Sequence, residues 1–265
     1  MRINNNIAAL NSHRQYAINN GNIGKNVEKL SSGFRVNRSA DDAAGLAISE
    51  KMRTQIRGLN MASKNSQDGI SLVQTAEGAL QTAHNIMQRM RELAVQSRNG
   101  TNDGNDGVDR SALDLEYQQL DLEISQIAST VKFNDMTVFG VSFTIQSGAN
   151  ALDTTTFSIS SLNRPTGSII SEISAAVAIS ALTTAINDLS TNRATLGAIQ
   201  NRLEFKIHNL DNSAENLAAA ESRIRDVDMA KMMTEFTKNS ILFQASTAML
   251  AQANALPNSV LQLLG

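Results

Sequence analysis

Seven apolar residues at strict seven-residue intervals constrain the fold of this chain more than any other feature. A helix with such a stripe supercoils left-handedly against partner helices, so the pattern predicts one helix of a coiled-coil bundle. At 1.5 Å per residue the ladder would span about 63 Å, which is too long for an ordinary compact domain. We therefore predict a rod whose intrachain seam is formed by Leu182, Leu189, Leu196, Leu203, Leu210, Leu217 and Ile224.

Two earlier segments show apolar steps of three and four and are predicted as partner helices. The first follows 39–42, where Ser39 is the expected N-cap and Asp42 completes a capping box. Its seam runs over 59–94. The second is expected to open at Ser111 with Asp114, and its seam runs over 113–131. The predicted fold is mainly α, a long antiparallel helical bundle with a helix at about 170–220.

The periodicity changes between residues 138 and 162, where apolar and polar residues alternate around a turn at 147–150. This alternation predicts one β-hairpin. Because a lone hairpin is marginally stable in water, we expect it to lie against the helices. A polar loop is expected at 99–109, and its acidic residues lack the spacing of a calcium loop.

Composition excludes several kinds of function. The chain has no cysteine, three histidines without metal-ligand spacing, and a net charge of −2 without a basic run. We found neither a glycine-rich phosphate loop nor an apolar stretch near 18 residues. The sequence therefore predicts no enzyme, no cofactor or metal, and no nucleic-acid or membrane partner.

The two ends of the chain are helical in pattern and unusually apolar. Residues 239–265 contain no charged side chain, which favours burial of this segment in an assembly over an unusual folded core or a membrane. We expect the ends to be largely disordered in a free monomer and to fold as subunits stack. The residues predicted to make subunit contacts are Ile3, Ile7, Leu10, Met233, Phe236, Ile241, Phe243 and Leu250.

Several motifs in order resemble bacterial flagellins, over roughly 1–140 and 170–265. They occupy residues 1–11, 28–33, 41–49, 67–72, 88–94, 202–204, 214–216, 222–228 and 261–265. The resemblance implies that 1–38 and 226–265 pair as terminal helices of a filament-core domain, and that 39–225 forms the rod. Because only about 30 residues separate the two halves, it implies a short form with little or no outer domain.

The function implied by the resemblance is that of a structural subunit of the flagellar filament, exported through the flagellar type III apparatus without a cleaved signal and located outside the cell. Implied partners are further copies of the chain, an export chaperone, and the filament cap and hook-junction proteins. Alternatives are a hook–filament junction protein and a coiled-coil adapter that forms no filament.

A second role follows from the match at residues 88–93. Flagellins with this motif are recognised by Toll-like receptor 5, and the match implies receptor contacts by Gln88, Arg89, Leu93 and Glu116. The alternative is a polar helix face used in subunit contacts.

Overall fold

The computed structural model describes residues 6–102 and 108–264, with side chains up to residue 255. The middle of the predicted 99–109 loop lies outside these residues, and Gly100–Asn102 forms a short 3-10 turn. The predicted class, mainly α with a small hairpin, is confirmed. The elements are α1 Ile7–Ser32, α2 Ala43–Ser97, α3 Val108–Thr130, β1 Lys132–Phe133, β2 Met136–Thr137, β3 Val141–Gln146, β4 Thr154–Ile159, α4 Glu172–Arg225 and α5 Met229–Leu264.

The chain divides into two compact units. The terminal unit contains the residues up to Thr54 and from Asn216 onward, and the central unit is Gln55–Glu215. The long helices α2 and α4 each contribute to both units. The predicted domains, 1–38 with 226–265 and 39–225, are instead divided in the segments between α1 and α2 and between α4 and α5. These boundaries stay predictions.

The first turn of α2 differs from the prediction. Asp42, rather than Ser39, caps this helix, because its Oδ1 accepts the backbone N–H of Gly45 at 2.8 Å. Asp41 turns back and accepts the backbone N–H groups of Asn37 and Arg38. These hydrogen bonds hold 39–41 in a turn, so the helix begins at Ala43.

The helix α3 also begins earlier than predicted, at Val108 instead of Ser111. Asp114, which was expected near its start, is buried and does not act there as a cap. Its carboxylate accepts the N–H of Ile169 at 2.6 Å and the hydroxyl of Ser168 at 2.9 Å. Asp114 therefore fixes the segment that leads into α4.

The core of the central unit lies along the predicted seams. The α2 seam from Ala62 to Ala94 is buried throughout, and ladder residues from Leu182 to Leu210 are at most 4% exposed. A hydrogen bond between Ser63 and Asp211 and an ion pair between Glu77 and Arg193 show that α2 and α4 run antiparallel.

The predicted hairpin is formed by β3 and β4, with Val141 opposite Ile159 and Phe143 opposite Phe157. It packs on α2 where glycine leaves room. A Cβ at Gly58 would lie 2.9 Å from Cβ of Ala149 in the hairpin loop. Glycine therefore permits this close approach at a helix interior position, where it otherwise costs stability.

A second, smaller hairpin was not predicted. Its strands β1 and β2 have two residues each, joined by Asn134 and Asp135, both with positive φ. Two left-handed residues are the signature of a tight hairpin turn, and Asn and Asp tolerate that conformation. Strands of two residues are too short to show an alternating pattern in the sequence.

Of the described helices, α4 alone is long and apolar enough, by length and composition, to cross a membrane, since one 18-residue window has a mean hydropathy of 1.3. The sequence analysis predicted no apolar stretch of this length. A core helix passes the same test, and Leu182 and Leu189 of α4 belong to the hydrophobic core.

Candidate assembly interface

The terminal unit is built on the antiparallel pairing of α1 and α5. Asn6 donates a side-chain hydrogen bond to the carbonyl of Ala253 at 2.7 Å, and Asn19 does so to Leu242 at 3.3 Å. Between these points the rings of Tyr16 and Phe243 lie 4.9 Å apart. The pairing thus uses polar contacts to backbone and one aromatic pair, which leaves much of the apolar surface uncovered.

The residues predicted to make subunit contacts divide into three groups. Ile7, Leu10, Met233 and Ile241 are exposed, Ile7 and Leu10 at 67% each. Phe236, Phe243 and Leu250 are half-buried, and Phe243 packs against Tyr16 of α1. Ile3 lies outside the described residues. Further exposed apolar side chains of the unit, not in the predicted set, are Ile18, Val27, Ile48, Met229, Leu242 and Met249.

The sequence indicates apolar residues on more than one face of 232–264, Leu242 and Met249 among them, but the predicted contact set omits these two residues. Both faces of the 239–250 segment therefore belong to the candidate interface. Adjacent Ile241 and Leu242 are both exposed. A single helical partner can cover only one of these faces.

A compact joint connects the helix ends within the terminal unit. Phe34 and Asp226 form an antiparallel bridge, with the N–H of Arg35 donating to the carbonyl of Arg225 at 2.7 Å and that of Val227 to Gly33 at 3.0 Å. The bridge fixes the 226–228 interruption between α4 and α5. Asp228 then caps α5 by accepting the N–H groups of Ala230 and Lys231.

Arg225 ties this joint together. Its guanidinium lies 4.7 Å from the centre of the Phe34 ring and donates to Glu50 Oε1 at 2.6 Å. The hydrogen bond from Arg225 lowers the pKa of Glu50 below its ordinary value. The last ladder residues, Leu217 and Ile224, are half-buried near this joint. The ladder therefore ends at this joint, just before the interruption between α4 and α5.

The candidate receptor residues lie on the central unit and do not share one environment. Arg89 forms hydrogen bonds to Glu116 at 2.9 Å and Glu92 at 3.2 Å, and these carboxylates raise the pKa of Arg89. Gln88 is exposed and lies 2.9 Å from the ring of His84. Leu93 is only 1% exposed and packs in the core. Leu93 therefore lies apart from the surface formed by the other three.

Catalytic or metal-binding geometry is not found among the residues that the structure describes. No group of three or more His, Asp or Glu side chains is placed to hold a metal ion there. The terminal unit instead exposes apolar side chains on α1 and α5, and α5 includes the charge-free segment that begins at residue 239. Such a surface can bind other protein chains by hydrophobic burial.

A long helical core with two exposed apolar helices at its chain ends defines a structural protein that assembles through helix packing. Two family models match this chain: the bacterial flagellin N-terminal helical region over residues 3–144, and the C-terminal helical region over 179–264. The chain belongs to the bacterial flagellin family. It is a structural subunit of the flagellar filament, serves motility, and is not an enzyme. These predictions are confirmed, and neither the junction protein nor the adapter is favoured.

Curated relatives match along their whole length. A flagellin of Halalkalibacterium halodurans is 55% identical and one of Bacillus subtilis 49% identical, each alignment covering 100% of both chains. A flagellar filament 33 kDa core protein of Treponema phagedenis is 46% identical, also over 100% of both. The crystal structure of Bacillus cereus flagellin matches 60% of this chain and 94% of its own, at 34% identity and a TM-score of 0.50.

Proposed function

We propose that the terminal unit makes the principal subunit contacts of the filament, through the exposed apolar faces of α1 and α5. The observation that carries the proposal is the exposure of Ile7, Leu10 and Ile241 on helices that are already paired with each other. Surface of this kind is unfavourable in water and becomes favourable when another chain covers it.

The charge pattern supports the same conclusion. Residues 239–265 have no charged side chain, so burying this segment between chains incurs no desolvation of ions. Its polar residues are Ser, Thr, Asn and Gln, which can be satisfied by neutral hydrogen bonds. A surface helix that stayed in water would ordinarily carry charges on its outer face.

Paired asparagine substitutions test this proposal. Leu10→Asn is expected to raise the concentration needed for polymerisation by at least tenfold, measured by sedimentation and electron microscopy. Leu152→Asn is the matched control, because Leu152 is 93% exposed in the hairpin loop of the central unit. If both variants polymerise like the original chain, the terminal contacts are not the principal ones.

The same exposed surface leads us to propose partners during export. An apolar α5 would need a covering chain before assembly, which a flagellar export chaperone would supply. The filament cap and hook-junction proteins would meet the same faces at the filament ends. Co-purification of such a chaperone with the full chain, and its loss on deletion of 239–265, is the expected result. Export without a cleaved signal predicts that the secreted protein retains its full mass.

A second proposal concerns Toll-like receptor 5 and rests on the exposed surface of Gln88, Arg89 and Glu116. The ion pair between Arg89 and Glu116 joins α2 and α3, so these side chains form one polar surface. Arg89→Ala should weaken receptor signalling, with Arg91→Ala, also exposed, as the matched control. Unchanged signalling with impaired polymerisation would assign this surface to subunit contacts instead.

A further inference from the structure

The dipeptide Asn-Gly occurs twice in the chain, at residues 20–21 and at residues 99–100. Both pairs are exposed to solvent. The first pair lies inside α1, whereas the second lies just beyond the end of α2 at Ser97. The same two residues therefore occupy two different backbone environments, and their comparison separates the effect of structure from that of sequence.

The helix α1 protects its asparagine from reaction with the neighbouring backbone. In an α-helix each N–H donates to the carbonyl four residues earlier, so the N–H of Gly21 is bound to the carbonyl of Ala17. Helical backbone also holds ψ of Asn20 at about −42°. This angle keeps the nitrogen of Gly21 away from the side-chain amide carbon of Asn20.

Beyond α2 the corresponding nitrogen is not held in this way. Among the described residues, no group accepts a hydrogen bond from the N–H of Gly100. Oδ1 of Asn99 instead accepts the backbone N–H of Thr101, with an N–O distance of 3.4 Å. This hydrogen bond closes a ring that includes Cγ of Asn99 and the nitrogen of Gly100. It therefore folds the Asn99 side chain over the peptide group that joins the two residues.

The same hydrogen bond prepares the side-chain amide of Asn99 for attack. When a nucleophile adds to Cγ, negative charge develops on Oδ1, and a backbone N–H already directed at that oxygen stabilises the charge. Gly100 favours the reaction further, because it has no Cβ to hinder the approach of its nitrogen.

We propose that Asn99 and Gly100 form a self-modifying site, at which Asn99 is converted to aspartate or isoaspartate. The backbone nitrogen of Gly100 forms a bond to Cγ of Asn99, and the side-chain nitrogen leaves as ammonia, taking the proton that Gly100 loses. Water then opens the resulting succinimide at either of its two carbonyl groups. Opening at one carbonyl gives aspartate, and opening at the other gives isoaspartate. The net reaction consumes one water and releases one ammonia.

The modification places a negative charge where the fold disfavours it. Asn99 lies two residues beyond Ser97, the last residue of α2. The free carbonyl groups at the C-terminal end of a helix carry partial negative charge, so a carboxylate beside them is destabilising. Asn99 is therefore a site at which the subunit ages, rather than one whose reaction completes the fold.

Incubation of the full chain at mildly alkaline pH tests the inference. Peptide mapping by mass spectrometry and enzymatic methylation of isoaspartate follow the conversion. In the folded monomer Asn99 should convert at no less than a tenth of its rate in urea. The matched variant is Gly100→Ala, because a Cβ at this position meets no atom within 4 Å and the backbone is not in the left-handed region. This variant should slow the conversion at least tenfold.

The control site in the same chain is Asn20. Filaments are used for this comparison, because the pairing with α5 then holds α1 in its helix. Asn20 should convert at least tenfold more slowly than Asn99 in filaments, but at a similar rate in urea. Equal rates at the two sites in filaments would overturn the inference, since sequence alone would then select the site. Conversion of Asn99 that is more than tenfold slower in the folded monomer than in urea would overturn it too, as would an unchanged rate in Gly100→Ala.

Discussion

The two units of the molecule use apolar residues in opposite ways. In the central unit, large side chains such as Leu80, Met87 and Leu182 are 0–1% exposed. In the terminal unit, large apolar residues such as Leu10 and Ile241 lie at the surface, while the buried positions are mostly small or polar. Those buried positions, among the described residues, are Asn26, Val36, Gly45, Ser49, Met232, Ser246 and Ala253. The central unit completes its own core, whereas the terminal unit leaves much of its apolar surface exposed, which is the surface that we propose other chains cover.

Matched leucine truncations give the largest expected difference between the units. Leu182→Ala removes a fully buried side chain and should lower the free energy of unfolding by about 2–5 kcal/mol. Leu10→Ala removes an exposed one and should leave the monomer within about 0.5 kcal/mol while weakening polymerisation. Urea unfolding of monomers and sedimentation of polymers measure the two effects. Equal destabilisation of the monomer by both would show that the terminal unit has a core of its own.

Alkaline pH should act on the central unit through Tyr117. Burial, helped by the charges of Asp121 and Asp114, raises the pKa of Tyr117 to about 12. The unfolded chain releases this proton near pH 10, so the unfolded state binds fewer protons and stability falls as pH rises from about 10 to about 12. The expected loss is about 2–3 kcal/mol.

The control for this titration is Tyr117→Phe. It removes the hydroxyl that lies 3.4 Å from the carbonyl of Pro165 and should flatten the stability profile above pH 10. Chemical unfolding at several pH values measures both chains. Parallel profiles for the two chains would mean that another group causes the alkaline loss.

Substitutions at two glycines of α2 test how tightly the hairpin packs against this helix in the central unit. Gly58→Ala places a Cβ against Ala149 and its backbone, so the hairpin loop must move, at an expected cost of about 1–3 kcal/mol. Gly78 has open space around it, and Gly78→Ala should instead stabilise by about 0.5–1 kcal/mol through helix propensity. Thermal unfolding of both variants measures the two changes in stability. If Gly58→Ala stabilised the protein as Gly78→Ala does, the hairpin loop would not be held firmly against α2.

Repetition made the helical core predictable from sequence. The ladder from Leu182 to Leu210 and the α2 seam repeat over many turns, so errors at single positions do not alter the pattern. The β3–β4 hairpin was also found because its alternation is long enough. Two-residue strands at 132–133 and 136–137 carry no periodic signal and were missed.

Local signals were less reliable where a tertiary contact decides the outcome. Ser39 and Asp42 both suit an N-cap, and the choice of Asp42 depends on Asp41 being used by the turn. Asp114 has the spacing of a cap but serves Ile169, which is 55 residues away. Leu93 belongs to a motif with exposed neighbours, yet its position on the seam side of α2 buries it. Sequence spacing alone does not distinguish these cases.

The smallest expected effect concerns acid and the joint of the terminal unit. The hydrogen bond from Arg225 lowers the pKa of the exposed Glu50. Because the pKa of Glu50 is lower in the folded state, its charge stabilises the folded protein at any pH above the pKa that Glu50 has in the unfolded chain. This stabilisation is lost as the pH falls through the folded-state pKa. Because the Glu50 side chain is exposed, the effect should be small and weaker in high salt. Glu50→Gln should therefore melt slightly below the original chain at pH 7, with the difference disappearing as pH falls through the lowered pKa of Glu50. Since Arg225 also contacts the Phe34 ring, the joint should persist without the ion pair. A difference in melting temperature that is constant across this pH range would show that Glu50 acts through packing rather than through its charge.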